Sequence, residues 1–277
     1  MVIPGAYHRC VLILLPPSEG KRPPAAGPPL DLSVLLGAEL LSSRRRRVIE
    51  ALTEVSAGPQ AAQVLGLGPR SAAEAGLNLV LDRAPCAPAH DLFAGVLYDA
   101  ARLTALAAEP ATREALERSL VIFSGLWGVL RPTDPVPDHR LSMGVSLPGT
   151  GRLSSFWRRP VAGVLDDRAR RSGLVVDCRS GAYSPAWRPP ADAGVELVAV
   201  RVVSDRPDGT RAVVSHAAKH SRGLLTGRLI EVLGGGGLRQ GASAEDVATV
   251  AQEVPGLRGV ELDVPDRRGR RVLTLVV

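Results

Sequence analysis

The sequence predicts a mixed α/β fold of the α+β kind, with a central mixed sheet surrounded by helices. Short, wholly apolar runs read as buried strands, longer stretches between them carry helical periodicity, and turn signals join paired runs near the C-terminus. The 277 residues, 45% apolar and 22% charged, suffice for one large core. Neither an internal repeat nor a long linker divides them, so one domain, 1–277, is expected.

Val11 to Leu15 is apolar on both faces, as a central strand must be, and Pro16-Pro17 ends it. A Pro/Gly-rich loop follows. From Leu40 to Val55 the residues Val48, Ile49, Leu52 and Val55 share a helical face, with Ser42 and Ser43 as candidate caps. The run Arg44 to Arg47 spreads around that helix, as a solvated face or a patch facing phosphate. Residues 64–74, V-L-G-L-G-P-R-S-A-A-E, close a short helix at Gly66 and offer Pro69 as the first position of the next. That is the grammar of a helix-hairpin-helix, whose glycine turn presents backbone N–H groups to a nucleic-acid phosphate. Gly66, Gly68 and Arg70 are then the candidate DNA contacts, inside a helical insert spanning 45–82. A plain αα-hairpin closed by glycines has the same pattern.

Leu120 to Ser124 reads as a buried strand, the stretch after it as a structured loop, Ser154 to Leu165 as a helix and Leu174 to Asp177 as another strand. Two β-rich runs, 195–204 and 211–216, flank Asp208-Gly209, a hairpin signal. Ala217 to Leu233 forms a helix closed by Gly234 to Gly237, and Ser243 caps a last helix. A final hairpin turns at Asp266 to Gly269.

Lys plus Arg exceed Asp plus Glu by 34 to 28, a net +6 that permits a nucleic acid or phosphorylated ligand without requiring one. Cys10, Cys86 and Cys178 are too few and too far apart for a disulfide framework or a metal site, which fits a reducing cytosol. No apolar stretch approaches the roughly 20 residues that span a bilayer, and the N-terminal run makes a poor signal peptide. A cytoplasmic protein is expected, with no membrane partner, no cofactor and no metal; the oligomeric state is unknown.

Polar residues gather where apolar strands end. Ser18, Glu19 and Lys21 follow the first strand. Ser124, Trp127, Arg131 and Asp134 follow the second, with Arg140 beyond. Asp177, Arg179, Ser180 and Tyr183 follow the third. If these strands lie parallel and adjacent, the crevice beyond their carboxyl ends collects all three clusters. His216, Lys219 and Arg222 are spaced by three along a predicted helix and place cations near its N-terminus, where an anion would be favoured. The first cluster lacks the glycine frame of a P-loop, the five histidines lack zinc-ligand spacing, and no G-x-S-x-G elbow exists.

Six motifs carry a resemblance: V-L-I-L-L-P-P-S-E-G-K, L-Y-D-A-A at 97–101, the block from Ser124 to Gly144, F-W-R, V-D-C-R-S-G-A-Y and H-A-A-K-H-S-R-G. In this order they are similar to the YaaA peroxide-stress family, over the chain from about Cys10 to about Leu233. The resemblance implies a bacterial cytosolic protein that limits unincorporated iron and hence peroxide damage, with a mixed α/β fold, a helix-hairpin-helix and DNA as partner. It brings no settled reaction. Lys21, Tyr183, Lys219, Arg222 and Gly223 match positions shared across the family's variants, whereas the Ser18-Glu19 pair departs from the common Ser-Pro-Ala-Lys.

Two functions therefore compete: a DNA-binding stress protein, and an enzyme acting on a nucleotide, nucleobase or other anionic small molecule. For the second, the candidate catalytic residues are Lys21, Tyr98, Asp134 and Tyr183. Lys21 would be an electrostatic clamp or a nucleophile, and Asp134 or Glu19 a general base. Ser18, Ser124, Trp127, Arg131, Arg140, Trp157, Arg179, Ser180, Lys219 and Arg222 are the candidate ligand contacts, with Trp127 or Trp157 stacking a base. Core anchoring of both tryptophans, and a structural role for Asp134, is the competing reading.

Overall fold

The computed structural model describes residues 11–206, 210–213, 215–238 and 241–277. Among the described residues the main sheet has eight strands. In chain order they are β1 (Leu12–Leu15), β2 (Leu120–Ser124), β3 (Gly128–Leu130), β4 (Leu174–Asp177), β5 (Glu196–Asp205), β6 (Arg211–Val213), β7 (Gly259–Leu262) and β8 (Arg270–Val276). Across the sheet the order is β7-β8-β5-β4-β1-β2-β3, with β6 beside β5. The inner strands β8, β5, β4, β1 and β2 run parallel, and antiparallel pairs form the margins. β1, β2 and β4 are buried at every position, which is why their sequences are unbroken apolar runs rather than alternating ones.

Helices cover the sheet. They include α1 (Ala38–Ala57), α2 (Ala61–Leu65), α3 (Val96–Ala101), α4 (Leu153–Ser172), α5 (Ser215–Gly234) and α6 (Ala244–Gln252). α4 packs on β1, β3 and β4, and the helix Pro110–Ser119 packs on β1 and β2. No helix among the described residues is long and apolar enough to cross a membrane.

Several boundaries differ from the sequence reading. α1 is entered through Gly37, whose φ of 66° is left-handed, so Ser42 and Ser43 lie inside the helix instead of capping it. The Ser42 hydroxyl donates to the Leu32 carbonyl at 3.2 Å. The helix therefore starts at Ala38, two residues before the predicted Leu40. Within the arginine run Arg45 parts company with Arg44 and Arg47. Arg44 and Arg47 lie over the Phe156 ring, each guanidinium 5.6 Å from its centre. Arg45 is 0% exposed: its Nε donates to the Trp127 carbonyl, and its Nη2 to those of Leu36 and Val129, at 2.7–3.0 Å. Burial pulls its pKa down to about 10.

α4 runs on to Ser172, with Pro160 inside it. Gly128 has φ 74°, and a methyl there would stand 2.8 Å from the Trp157 ring, so β3 and α4 meet at glycine. At the C-terminus β5 and β6 pair antiparallel from Arg211 opposite Asp205; the predicted turn at Asp208-Gly209 lies outside the described residues, as does Cys10. Ser243 caps α6 in a reciprocal box with Asp246, and β7 and β8 form the final hairpin across Asp266, whose carboxylate accepts from the Arg268 and Arg270 N–H groups.

Candidate ligand site at the switch of the parallel sheet

The chain leaves β1 toward β2 on one side and leaves β4 toward β5 on the other, so the two connections part above the carboxyl ends of neighbouring strands. β1 and β4 stay in register there: Leu14 faces Asp177, and the Cys178 N–H donates to the Leu14 carbonyl at 2.9 Å. Such a switch point leaves a crevice that loops can line while the sheet holds still. Here it is a cavity of about 580 Å³ with four walls: residues 16–20 after β1, residues 95–98 at the start of α3, Ser180, Gly181 and Tyr183 after β4, and Ala218, Lys219 and Arg222 on α5.

Each wall has a local cause. Pro16-Pro17 ends β1, and the Tyr98 hydroxyl donates to the Pro16 carbonyl at 2.8 Å, tying the first wall to the second. The Ser18 hydroxyl donates to the Ala94 carbonyl, and Gly95 at φ 108° lets α3 begin against that serine. The third wall stands on Arg179, 4% exposed. Its guanidinium pairs in bidentate fashion with Asp177 at 2.8 Å, donates to the Trp187 carbonyl at 2.8 Å and lies 4.2 Å from the centre of the Phe123 ring. The fourth wall stands close because Gly223 and Gly227 of α5 face the Leu97 and Ala101 carbonyls of α3. A methyl at Gly227 would be 2.8 Å from that oxygen, and one at Gly223 closer still.

The charged lining is two cations, Lys219 and Arg222, and one carboxylate, Glu19. Arg222 donates through Nη2 to the Val200 carbonyl at 2.9 Å, while its Nε is buried with no partner among the described residues. Burial holds the Tyr98 phenol well above its ordinary pKa and pushes Tyr183 up to about 12, so both stay protonated. The Tyr183 hydroxyl sits beside Ser142 and the Met143 N–H without a hydrogen bond of good geometry. Val96, Leu97 and the two prolines supply the apolar surface.

Lys21 and Arg140 stand next to this cavity. The Lys21 Nζ is 3.4 Å from the Glu19 carbonyl oxygen and 5.8 Å from the centre of the Phe93 ring. Arg140 donates to that same carbonyl at 2.6 Å, pairs with Glu74 and lies 3.7 Å from Asp138. Burial, then the Arg140 charge, draws the Lys21 amine down to about 8, against the opposing pull of Asp138, Glu19 and Glu74.

The second strand-end cluster goes elsewhere. Ser124 accepts from the Leu126 and Trp127 N–H groups. Trp127 and Trp157 are each 0% exposed, the latter donating to the Gly125 carbonyl at 2.8 Å, so neither presents a face to a base. Asp134, proposed as a base, is 2% exposed and engaged on both oxygens: Oδ1 by the Arg131 Nε at 2.8 Å, Oδ2 by the Leu36 and Arg131 N–H groups. It pins the segment entering α1. Of the predicted residues, Ser18, Tyr98, Ser180, Tyr183, Lys219 and Arg222 meet at one cavity, with Lys21 and Arg140 at its edge. His216 is exposed and outside the lining. The apolar wall of α3 was missed. So was one available signal: of 34 basic residues only Lys21 and Lys219 are lysines, and both stand here.

The proposed hairpin has a different form from the one expected. α2 ends at Gly66 in the left-handed region, φ 67°, and Leu67 donates back to Ala62 at 2.8 Å. Pro69 then lies in a turn, and the next helix is a 3₁₀ segment, Ala72–Leu79. Gly66, Gly68 and Arg70 are exposed, with open space beside both glycines.

A family model described as peroxide stress protein YaaA matches residues 11–232. The chain belongs to this family. It is 40% identical over 263 residues to the UPF0246 protein SCO2297 of Streptomyces coelicolor, covering 94% of this chain and 95% of the relative. It is 41% identical over 271 residues to the UPF0246 protein CE1889 of Corynebacterium efficiens, covering 96% and 100%. The YaaA match takes in all four walls of the cavity and stops before α6, β7 and β8.

Proposed function

We propose that this YaaA-family protein serves the peroxide-stress response in the cytoplasm by binding an anionic small molecule, of nucleotide or similar size, in the switch-point cavity. One observation supports this above the others: Lys219 and Arg222 reach a cavity of about 580 Å³ at the carboxyl ends of two central parallel strands. Lys219 and Arg222 supply the charge for a phosphate or carboxylate, whereas the Tyr98 hydroxyl is spent on the Pro16 carbonyl and the Tyr183 hydroxyl is buried. A thermal-shift screen of nucleotides, nucleobases and small phosphorylated acids tests it. Lys219→Ala and Arg222→Met, each still folded, should weaken the best hit about tenfold or more, about 1.4 kcal/mol. A screen without a hit, or hits untouched by both variants, sinks the reading.

A second reading, DNA contact through the turn at 64–74, is supported by the exposed Gly66, Gly68 and Arg70. Binding should then weaken steeply with salt, as neutralised phosphates release counterions. Gly66→Val with Gly68→Val should weaken it further, and undiminished affinity in that folded double variant refutes the turn as the contact. In either case the proposed benefit is less damage by unincorporated iron. Cells lacking the protein should hold more chelatable iron under peroxide and be restored by the wild type; restoration by Arg222→Met would point away from the cavity.

A further inference from the structure

The arginine run of α1 belongs to a second basic feature, away from the switch-point cavity. α1 packs beside α4, and between them lies an open groove of about 670 Å³. It is lined by Leu40 and Arg44 of α1 and by Phe156, Arg159, Pro160 and Gly163 of α4, and shares no residue with the cavity. Spacings of three and four along each helix put each set on one face.

The charge in this groove is uncompensated. Arg44 and Arg47, one turn apart, both hold their guanidinium groups 5.6 Å from the centre of the same Phe156 ring. Both are exposed, as is Arg159. No carboxylate lines the groove, and among the described residues none of the three arginines makes an ion pair. Arg44 and Arg159 donate no side-chain hydrogen bond there, and Arg47 uses only Nη2, to the Gly149 carbonyl at 3.1 Å. Other exposed arginines are matched to acids, as Arg22 is to Asp99, Arg211 to Glu261 and Arg228 to Glu253. Two like charges over one ring repel, and an exposed cation–π contact offsets that only weakly. A multiply charged anion between Arg44 and Arg159 offsets it fully.

The floor between these cations is apolar. Leu40 is 54% exposed, and Phe156 is half-buried, with Trp157 edge-on behind it at 5.2 Å. Gly163 keeps the floor low, since a methyl there would stand 3.3 Å from the Leu40 Cδ1. A free phosphate would leave this surface in water, whereas a flat ring carried on the phosphates would cover it. We propose that the groove between α1 and α4 binds a nucleoside triphosphate. Arg44 and Arg159 hold the phosphates, with Arg47 adding charge beside Arg44, and the base lies on Leu40, Pro160 and Gly163. This is a binding site in which no bond is made or broken, and it does not depend on what the switch-point cavity holds.

Calorimetric titration of the full chain decides it, with ATP, GTP, inorganic triphosphate and a duplex oligonucleotide as probes. Because the cavity could take a nucleotide too, the titrations are repeated in Arg222→Met, where ATP or GTP should still bind. Arg44→Gln and Arg159→Gln, both surface changes that should keep the wild-type melting temperature, should each weaken that binding about tenfold or more. Inorganic triphosphate should bind more weakly, and Leu40→Ser should weaken the nucleotide while leaving inorganic triphosphate unchanged. Failure of both nucleotides to bind overturns the proposal. So does binding that Arg222→Met abolishes and both glutamine variants spare, which would move the nucleotide to the cavity. Inorganic triphosphate bound as tightly as ATP and GTP overturns the part given to the base. An oligonucleotide held through Arg44 and Arg159, with neither nucleotide bound, makes the face a contact for nucleic-acid backbone and overturns the site as proposed.

Discussion

Arg45 shows how much one side chain can hold. Its guanidinium donates to three main-chain carbonyls, those of Leu36, Trp127 and Val129, from inside the core. Replacing it with methionine fills similar volume but removes a donor from three carbonyls, of which only that of Trp127 has a second one, the Val129 N–H, among the bonds described. Urea unfolding of Arg45→Met should show a loss of about 3 kcal/mol, since each unsatisfied buried group costs about 1–3 kcal/mol. His139 makes a second prediction. Its ring, 2% exposed, bonds through Nδ1 to the Pro137 carbonyl at 2.9 Å and packs edge-on to Trp127. Burial holds its pKa well below the ordinary 6.5, so below that pH the unfolded chain takes up a proton that the folded one refuses. Stability should therefore fall on acidification, by up to about 1.4 kcal/mol per pH unit for one such group. His90, also lowered by burial, adds the same sign. His139→Gln should flatten the melting-temperature profile below neutrality, and an unchanged slope would assign the loss elsewhere. Both residues bear on what was legible. Leu41, Arg45, Val48 and Leu52 form one buried stripe of α1, so helical spacing did mark Arg45 as inward, although the run of arginines around it disguised that. Asp134, by contrast, looks like any loop carboxylate until the segment before α1 is laid against it.

The contact that sets the width of the site is between elements. α3 and α5 pack through glycine, with the Leu97 carbonyl against Gly223 and the Ala101 carbonyl against Gly227. Gly223→Ala should push α3 outward, lowering stability by about 1–3 kcal/mol through overpacking. Because α3 carries Tyr98, Leu97 and Val96, the same variant should lose the cavity ligand identified by thermal shift. Retention of ligand binding would mean that α3 is not a working wall. Strand ends and the capping box of α6 were legible because local rules govern them. The start of α1 and the 3₁₀ form of residues 72–79 were not, because Gly37 and the packing of that segment on α1 override the serine and proline signals.

At the scale of the molecule, the sheet binds residue 12 to residue 276 in one hydrogen-bonded layer. Trp127, Trp157 and Trp187 all precede β5 in the chain, so their fluorescence reports the part of the fold before that strand while far-UV circular dichroism reports the whole. If the chain is one cooperative unit, the two probes should give coincident urea transitions; a separate later or earlier step in dichroism would divide it. Three polar clusters at strand ends could be read from the residues, but the order in which the strands lie could not. That order depends on pairings between distant segments; it sets all three clusters side by side, and the second turns inward because Ser124 and Asp134 are taken up by N–H groups of Leu126, Trp127, Leu36 and Arg131.

The same cavity has a consequence for time. Its walls come from residues 16–20, 95–98, 180–183 and 218–222, and β1 acquires its second neighbour only when Leu174–Asp177 arrives. During synthesis the first strand emerges long before the strands that flank it, and pairings of such sequence separation are slow to close. The pocket therefore comes into being only once the chain through α5 has joined β1 and β4. A small molecule that fits it binds only copies folded that far, and by mass action holds segments from residue 16 to residue 222 together rather than one loop.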